Sequence, residues 1–355
     1  MTMKRRGVAL TPMETRPDII VRTAQLADEL GYEVFAVPEG WGLDSTLMAT
    51  EIVLRTRHIT VVSAILSVWG RTPGTLAMTA ATLHRISGGR YILGLGASTK
   101  ALVEGFHDLT FVHPAAKLRD VTTKVRTLLT GESARLDSAS TARPLRLGQP
   151  PVPDLPIWLA ATGDHTVQVA AELADGWFPL FVARDRIANQ VPELNRIRAA
   201  TGRWSTPLTV AAGPMTVADD DAGTARSLVA SSTAWYLCAM GDGYAEVVAN
   251  QGYGDAVQAI RAANPRPSPA HGIVPDDAQV VLDQFTAYGT PDQVRDNLER
   301  WDGAVDILMI GLPPGLGWPT IEATLRAAAP SEVPYQGSWN SALSASAGPT
   351  DPAER

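Results

Sequence analysis

AATLHRISGGRYILGLGAS, residues 80–98, carries the pattern on which the fold turns. Thr82, Leu83 and Ile86 sit at helical spacing, and Gly88-Gly89 ends that helix because glycine takes the left-handed conformation of a C-cap. Tyr91-Ile92-Leu93 is an apolar run of strand length, and Gly94 to Ser98 closes it with small residues. A strand that ends in small residues lets a ligand approach the backbone. The stretch therefore reads as one helix–strand junction whose strand opens onto a site.

The same unit recurs on both sides. Upstream, Gly7 to Leu10 is a first strand, and Ile20 to Leu30 is an amphipathic helix ended by Gly31. Val34 to Val37 is the second strand. Asp44 or Ser45 caps a helix running to about Arg57. Ile59 to Leu66 is the third strand, and Pro73 opens the helix that leads into residue 80. Downstream of the fourth strand, a long connection holds Glu104 to His107, and a helix follows from about Ala115 to Leu129. Gly131 to Pro153 reads as an exposed loop. Pro156 to Ala160, Gly176 with its exit to Pro179, Leu208 to Ala212 and Val305 to Ile310 are the later strands. Ala222 to about Ala263 is helical and too long for a standard crossover. Thr290, Pro291 and Gln293 form a capping-box pattern. Asp219 to Asp221 reads as the acidic start of a helix rather than a metal motif.

Short apolar strands alternating with helices imply parallel strands joined by crossovers. The expected class is α/β, a (β/α)8 TIM barrel with an inserted helical region between strands seven and eight. A doubly wound sheet is the alternative, but no GxGxxG follows the first strand. Residues 1–330 are expected as one domain with residues 222–275 as the insertion, and residues 331–355 as a flexible tail.

The chain has 355 residues, 45% of them hydrophobic and 19% charged, with a formal net charge of −7. An acidic chain without a lysine–arginine cluster is not expected to bind nucleic acid. No run of about eighteen apolar residues is present, so no membrane span is expected. Cys238 is the single cysteine, which excludes an internal disulfide and fits a reducing, cytoplasmic setting.

In a barrel the site gathers at the carboxyl ends of the strands. Those exits hold Glu14, Glu39, Trp41, Ser67, Val68, Trp69, Gly96, Ala97, Ser98, Ala161, Thr162, Gly163, Gly176 and Trp177. They are poor in lysine and histidine and rich in aromatic and small residues, which suits a large planar cofactor better than a hydrolytic dyad. Thr162-Gly163-Asp164-His165 joins a strand to a helix N-terminus and is the best candidate for holding an anion, with an ordinary helix cap as the alternative. Glu39 is expected to face the mouth, with a salt bridge to a neighbouring loop as the alternative. His107 and His113 lie in the long fourth connection. Histidine spacing gives no metal motif.

Several of these segments resemble the bacterial luciferase-like flavin/deazaflavin oxidoreductases. Leu30 to Glu39 is similar to the second-strand signature of that family. Ala81 to Leu83, Ser87 to Arg90 and Leu93 to Gly96 are the most specific match. Pro156 to Gly163, Leu173 to Trp177 and Tyr288 to Pro291 with Val294 continue it in order. The resemblance implies a TIM barrel with coenzyme F420, or alternatively FMN, at its mouth. The layout most resembles the F420-dependent branch, similar to methylenetetrahydromethanopterin reductases. It implies a non-proline cis peptide at Ser67-Val68. It implies Gly96, Ala97 and Ser98 near the ring, Ala161 to His165 around the phosphate, and Gly176 and Trp177 beside the ribityl chain. At the positions where the sugar-phosphate dehydrogenase branch has histidine and glutamate, this chain has Gly40 and Thr99, so that activity is not expected.

The expected function is hydride transfer between deazaflavin and a small organic substrate, with Glu39, Glu14 or His107 handling the proton. Trp41, Trp69 and Phe106 are expected to give an apolar substrate pocket. The alternatives are an FMN-dependent monooxygenase and a ligand-binding member of the family without redox chemistry. A homodimer is expected.

Overall fold

The computed structural model describes residues 4–137, 141–202 and 207–330, so the expected tail lies outside the described residues. The first half runs β1 (Arg6–Ala9), α1 (Pro17–Glu29), β2 (Val34–Val37), α2 (Ser45–Arg55), β3 (Thr60–Ser63), β4 (Leu66–Ser67), α3 (Pro73–Ile86), β5 (Tyr91–Gly96), α4 (Lys100–Gly105) and α5 (Pro114–Leu129). The second half continues β6 (Ile157–Ala160), α6 (Asp164–Leu173), β7 (Gly176–Trp177), α7 (Arg184–Ala200), β8 (Thr209–Ala212) and β9 (Met215–Ala218). It ends with α8 (Ala222–Ala239), α9 (Asp242–Val248), α10 (Gly254–Ala263), α11 (Gln279–Phe285), β10 (Thr286–Gly289), α12 (Pro291–Glu299), β11 (Ile307–Gly311) and α13 (Trp318–Ala327).

All strand pairings are parallel. The order β1-β2-β3-β5-β6-β7-β8-β11 closes when β11 returns to β1, with Val8 beside both Phe35 and Ile310. Since β4 continues the line of β3 against β5, the ring has eight staves: a TIM barrel. β9 leaves the ring after Pro214 and pairs with β10. The helices α8 to α10 lie between the seventh and eighth staves, where the sequence places its insertion.

Two packed layers follow from strand alternation. Inside the ring, Val34, Ala36, Val62, Ile92, Trp158, Ala211, Ile307 and Met309 form one cluster. A Cβ on Gly176 would stand 2.4 Å from the Trp158 indole, so only glycine lets that ring fill the interior. The second and larger layer lies between staves and helices. Local chemistry fixes the helix ends. Asp44 caps α2, Asp221 caps α8, and Thr290 with Gln293 makes both bonds of a capping box on α12. Gly88 and Gly89 take φ of +66° and +92° after α3, as a glycine stop requires.

The third stave corrects two expectations. Ile59 to Leu66 reads as one continuous apolar strand, yet it breaks at residues 64 and 65, and the non-proline cis bond is Ala64-Ile65 rather than Ser67-Val68. Register gives the reason for the break. Val62 stands beside Ile92 and Leu66 beside Leu95, so this stave spends one residue more than β5 over the same length, as in a β-bulge. Ser63 anchors the bulge. Its Oγ donates to the Gly94 carbonyl (3.1 Å) and accepts from the Gly94 N–H (2.9 Å) and the Tyr91 hydroxyl (3.1 Å).

Candidate functional site

The third and fourth stave ends build one wall. The Val68 N–H donates to the Gly96 carbonyl at 3.1 Å, and Trp69 Nε1 donates to the Ala97 carbonyl at 3.0 Å. The Trp69 N–H donates to Ser67 Oγ at 3.2 Å. Ser98 takes a left-handed φ of +61°, which turns the chain out of the barrel into Thr99, the cap of α4. Ser67, Val68, Gly96, Ala97 and Ser98 therefore come together. A Cβ on Gly96 would lie 2.7 Å from Ile65 Cγ1, so the bulged Ile65 occupies the space that the missing side chain leaves.

A second feature follows the β6 end. Gly163 is the N-cap of α6, and no side chain caps that helix. The N–H groups of Asp164 and His165 have no side-chain cap, unlike the starts of α2 and α8, while the Thr166 N–H donates to the Gly163 carbonyl at 2.9 Å. The opening faces a cleft of about 360 Å³ lined by Thr162, Gly163, Asp164, Arg186, Gln190 and Asn250, among others. Among the described residues, the Arg186 guanidinium reaches only the Asn250 carbonyl, at 3.4 Å, and Gln190 Oε1 is buried without a partner. The insertion forms the far side. Gln251 donates to the Phe181 carbonyl and accepts from the Ala183 N–H, both at 2.8 Å, clasping the loop that leaves β7.

His165 does not line this cleft. It lines a larger cavity, about 620 Å³, between α5 and α6 on the outside of the barrel. The cations there are already matched: Arg119 with Glu172, Lys124 with Asp120 and Asp137, and Arg135 with Asp137. That cavity lies between the helices rather than within the ring of staves, and its arginines and lysine are already paired.

The expected acid–base residues have different surroundings. Glu39 is gripped by Arg71, through Nη1 and through Nη2 at 2.8 Å, and also accepts from the N–H and hydroxyl of Ser45. Glu14 is buried. Burial disfavours its charge, but the Arg16 guanidinium and the N–H groups of Arg16 and Gly315 outweigh that effect and hold its carboxyl below the usual carboxylate range. His107 sits on the loop after α4, with its ring against Gly70 and edge-on to Phe106 at 5.1 Å. Among the described residues it makes no hydrogen bond through its ring.

Of the expected aromatic lining, Trp69 lies against the wall, while Trp41 and Phe106 are exposed on the rim. Trp177 does not open on the mouth. It is wholly buried among stave and helix residues, and its indole N–H is spent on the Ala161 carbonyl. Strand alternation is the reason: Gly176 points inward, so Trp177 points outward.

Sequence reading missed Ile65, Arg71, Arg186, Gln190, Asn250 and Gln251. Arg71 and Glu39 are 32 positions apart, and no local spacing joins them. For Ile65 a signal existed, since Gly96 asks for a bulky neighbour.

A provisionally named coenzyme F420-dependent oxidoreductase of Mycobacterium tuberculosis is 29% identical over 307 residues, covering 80% of this chain and 87% of the relative. A 5,10-methylenetetrahydromethanopterin reductase of Archaeoglobus fulgidus is 26% identical over 305 residues, covering 82% and 88%. Among solved structures, the coenzyme F420-dependent tetrahydromethanopterin reductase of Methanopyrus kandleri superposes with a TM-score of 0.76 at 22% identity, over 91% of this chain and 97% of that one. Residues 1–306, from β1 to the residue before the last stave, match the family pattern as one continuous stretch, and on that ground the chain belongs to the luciferase-like monooxygenase family.

Proposed function

We propose that this protein is an F420-dependent oxidoreductase that passes a hydride between the deazaflavin and a small organic substrate at the barrel mouth. The observation that carries this reading is the uncapped start of α6 in one cleft with Arg186. A helix N-terminus with a guanidinium beside it suits a phosphate group. The neighbouring wall of small residues suits the face of a flat ring. The F420-dependent names of the relatives support the choice of cofactor.

Gly96, Ala97 and Ser98, with Ser67 and Val68, would shape the ring site. Ala161, Thr162, Gly163 and Asp164 would bracket the phosphate, whereas the His165 side chain, which lines the outer cavity, would take no part. Gly176 and Trp177 would support the floor from behind. The deazaflavin, when bound, supplies two-electron hydride chemistry. The chain supplies orientation, exclusion of water and a proton. His107 is our choice for the proton, carried on an imidazole nitrogen, because its ring is uncommitted while Glu39 and Glu14 are each held by an arginine. Glu39 would then position Arg71, and Glu14 would position Arg16.

A second reading, an FMN-dependent monooxygenase, is favoured by the name of the family itself. Titrating the apoprotein with F420 and with FMN separates the two. F420 is expected to bind in the micromolar range and FMN at least about tenfold more weakly. Arg186→Ala should weaken F420 by about tenfold, the loss of one charge-assisted contact. Tighter binding of FMN would favour the monooxygenase. Binding of neither would leave a ligand-binding protein without redox chemistry.

A further inference from the structure

Buried hydroxyls without partners gather where the insertion meets the end of the first stave. Thr11 stands just past β1, where the Leu10 N–H donates to the Ala36 carbonyl at 3.3 Å and the Leu312 N–H donates to the Ala9 carbonyl at 2.8 Å. Its side chain is 7% exposed, and its Oγ1 has no partner among the described residues. The hydroxyls of Ser232 and Thr233 on α8 are in the same condition, at 3 and 0% exposure. A buried hydroxyl without a partner is destabilising, so such a group on each of two facing elements calls for an occupant that makes the missing bonds.

Helix α8 brings one hydroxyl more. Tyr236 follows Ser232 by four positions and Thr233 by three, so the three share one face of the helix. Tyr236 is 1% exposed. Its ring packs on Phe181, from the loop after β7, with centroids 5.1 Å apart, and meets Tyr244 of α9 edge-on at 5.3 Å. Its phenol stands beside Thr11. Burial and the neighbouring Tyr244 hold that phenol protonated, and the Thr11 hydroxyl pulls the other way. The two hydroxyls still fall short of hydrogen-bond geometry, since Thr11 Oγ1 is unpaired. Tyr236 thus reaches from the exit of the sixth stave to that of the first, and α8 roofs this side of the mouth. Two hydroxyls that stand close but do not bond leave a place for one oxygen atom between them. Each can donate or accept. Neither is charged at neutral pH, and the nearest charges along the chain, Glu14 and Arg16, are paired with each other at 2.6 Å.

We infer that Thr11 and Tyr236 hold a neutral oxygen of the substrate, a carbonyl or a hydroxyl, and that the substrate carries no carboxylate or phosphate at this end. The Tyr236 O–H donates to that oxygen, and the Thr11 hydroxyl donates to a carbonyl or accepts from an alcohol. This rests on the reading of the mouth as the substrate site, but its test needs no cofactor. The probes are cyclohexanone, cyclohexanol and cyclohexanecarboxylate, which are similar in shape and differ in charge. Each is titrated into the apoprotein and followed by saturation-transfer NMR. The ketone and the alcohol should bind, and the carboxylate should bind at least about tenfold more weakly, because its charge would be desolvated against two neutral hydroxyls.

Tyr236→Phe and Thr11→Val each remove one hydroxyl with little change of shape. Each should weaken cyclohexanone by about three- to tenfold, the loss of one neutral hydrogen bond. The melting temperature separates this role from a structural one. The two hydroxyls make no bond with each other for the fold to lose, so both variants should melt at or above the parent temperature. Thr122→Val, which removes a buried and unpaired hydroxyl from α5, should leave cyclohexanone binding as it is. Unchanged ketone affinity in either mouth variant would overturn the inference, since the gap would then hold water only. A lower melting temperature alongside the lost affinity would also overturn it, by making the hydroxyls part of the fold. So would carboxylate binding as tight as the ketone's, no binding of ketone and alcohol by the parent, or an equal loss in the Thr122 control. Binding of F420 measured on the same samples reports separately on the cofactor reading.

Discussion

At Gly96 a single hydrogen in place of a side chain decides what the wall of the mouth can be. The nearest atoms to a Cβ there are Cγ1 and Cδ1 of Ile65, at 2.7 and 2.8 Å, with Ala160 Cβ at 3.5 Å. Gly96→Val must therefore displace Ile65, because Ala160 Cβ of β6 already stands 3.5 Å from the same point. Overpacking of this kind costs about 1–3 kcal/mol. The expected outcome is a modest drop in melting temperature together with a loss of F420 affinity of about tenfold or more, read by titrating the apoprotein with F420. Normal affinity in this variant would remove the Gly96–Ser98 wall from the site. That glycine was legible in the sequence as a point of close approach, but its partner was not. Ile65 reads as one more apolar residue of a strand, and only the register against β5 shows that it has been turned aside.

Elements are joined at the closed end of the barrel by polar contacts that no hydropathy pattern contains. Asp28, in the last turn of α1, accepts from the N–H groups of Arg57, His58 and Ile59 at 2.7, 2.9 and 2.6 Å. It thereby satisfies the backbone that enters β3. Burial disfavours the charge, but the three N–H donors outweigh it and hold the Asp28 carboxyl below its ordinary range. A carboxyl whose pKa is lower folded than unfolded stabilises the protein above its unfolded value, about 4, and that contribution is lost as pH falls through the folded value. Asp28→Asn should cost about 1 kcal/mol at neutral pH, since the site is only partly buried and the amide oxygen still accepts. The difference from the parent should shrink below about pH 4, which thermal melts across pH 2–7 would check. Elements defined by apolar runs and by caps, such as α1, α12 and β5, are where the sequence places them. Those defined by pairing alone are not: β9 and β10 find each other only after Pro214 has turned the chain off the ring.

Across the whole molecule the two ends of the barrel divide the work. The Arg90 guanidinium lies at the closed end and donates to the carbonyls of Val53, Thr56 and Ile59 at 2.8, 3.2 and 2.8 Å. It ties the end of α2 to the start of the third stave. Arg90→Ala leaves those carbonyls without their donor, and should lower stability by about 2–3 kcal/mol while F420 affinity stays within about twofold of the parent. Calorimetry and the cofactor titration on the same sample give both numbers. A parallel loss of affinity would mean that the two ends are coupled. The barrel was legible because eight short apolar runs alternate with helices, a repeat that survives errors at any one strand. The surroundings of the two carboxylates were legible only in part: Arg16 stands two residues from Glu14, but the Gly315 N–H that also reaches Glu14, and the Arg71 that holds Glu39, arrive from loops that only closure brings near.

The filled interior has one more consequence. Trp158 packs on Gly176 and Met309 on Gly7, each in a neighbouring stave, and with Ile92, Ile307 and the other inward side chains they make the interior a packed core rather than a pore. Whatever binds at the mouth has a single doorway, used for both arrival and departure. The cofactor proposed above, seated against the Ile65–Gly96 wall, and a substrate outside it would have to queue: the inner one would enter first and leave last, with the outer one holding it in. A packed hydrophobic core, laid down for stability, thus dictates a compulsory order of traffic.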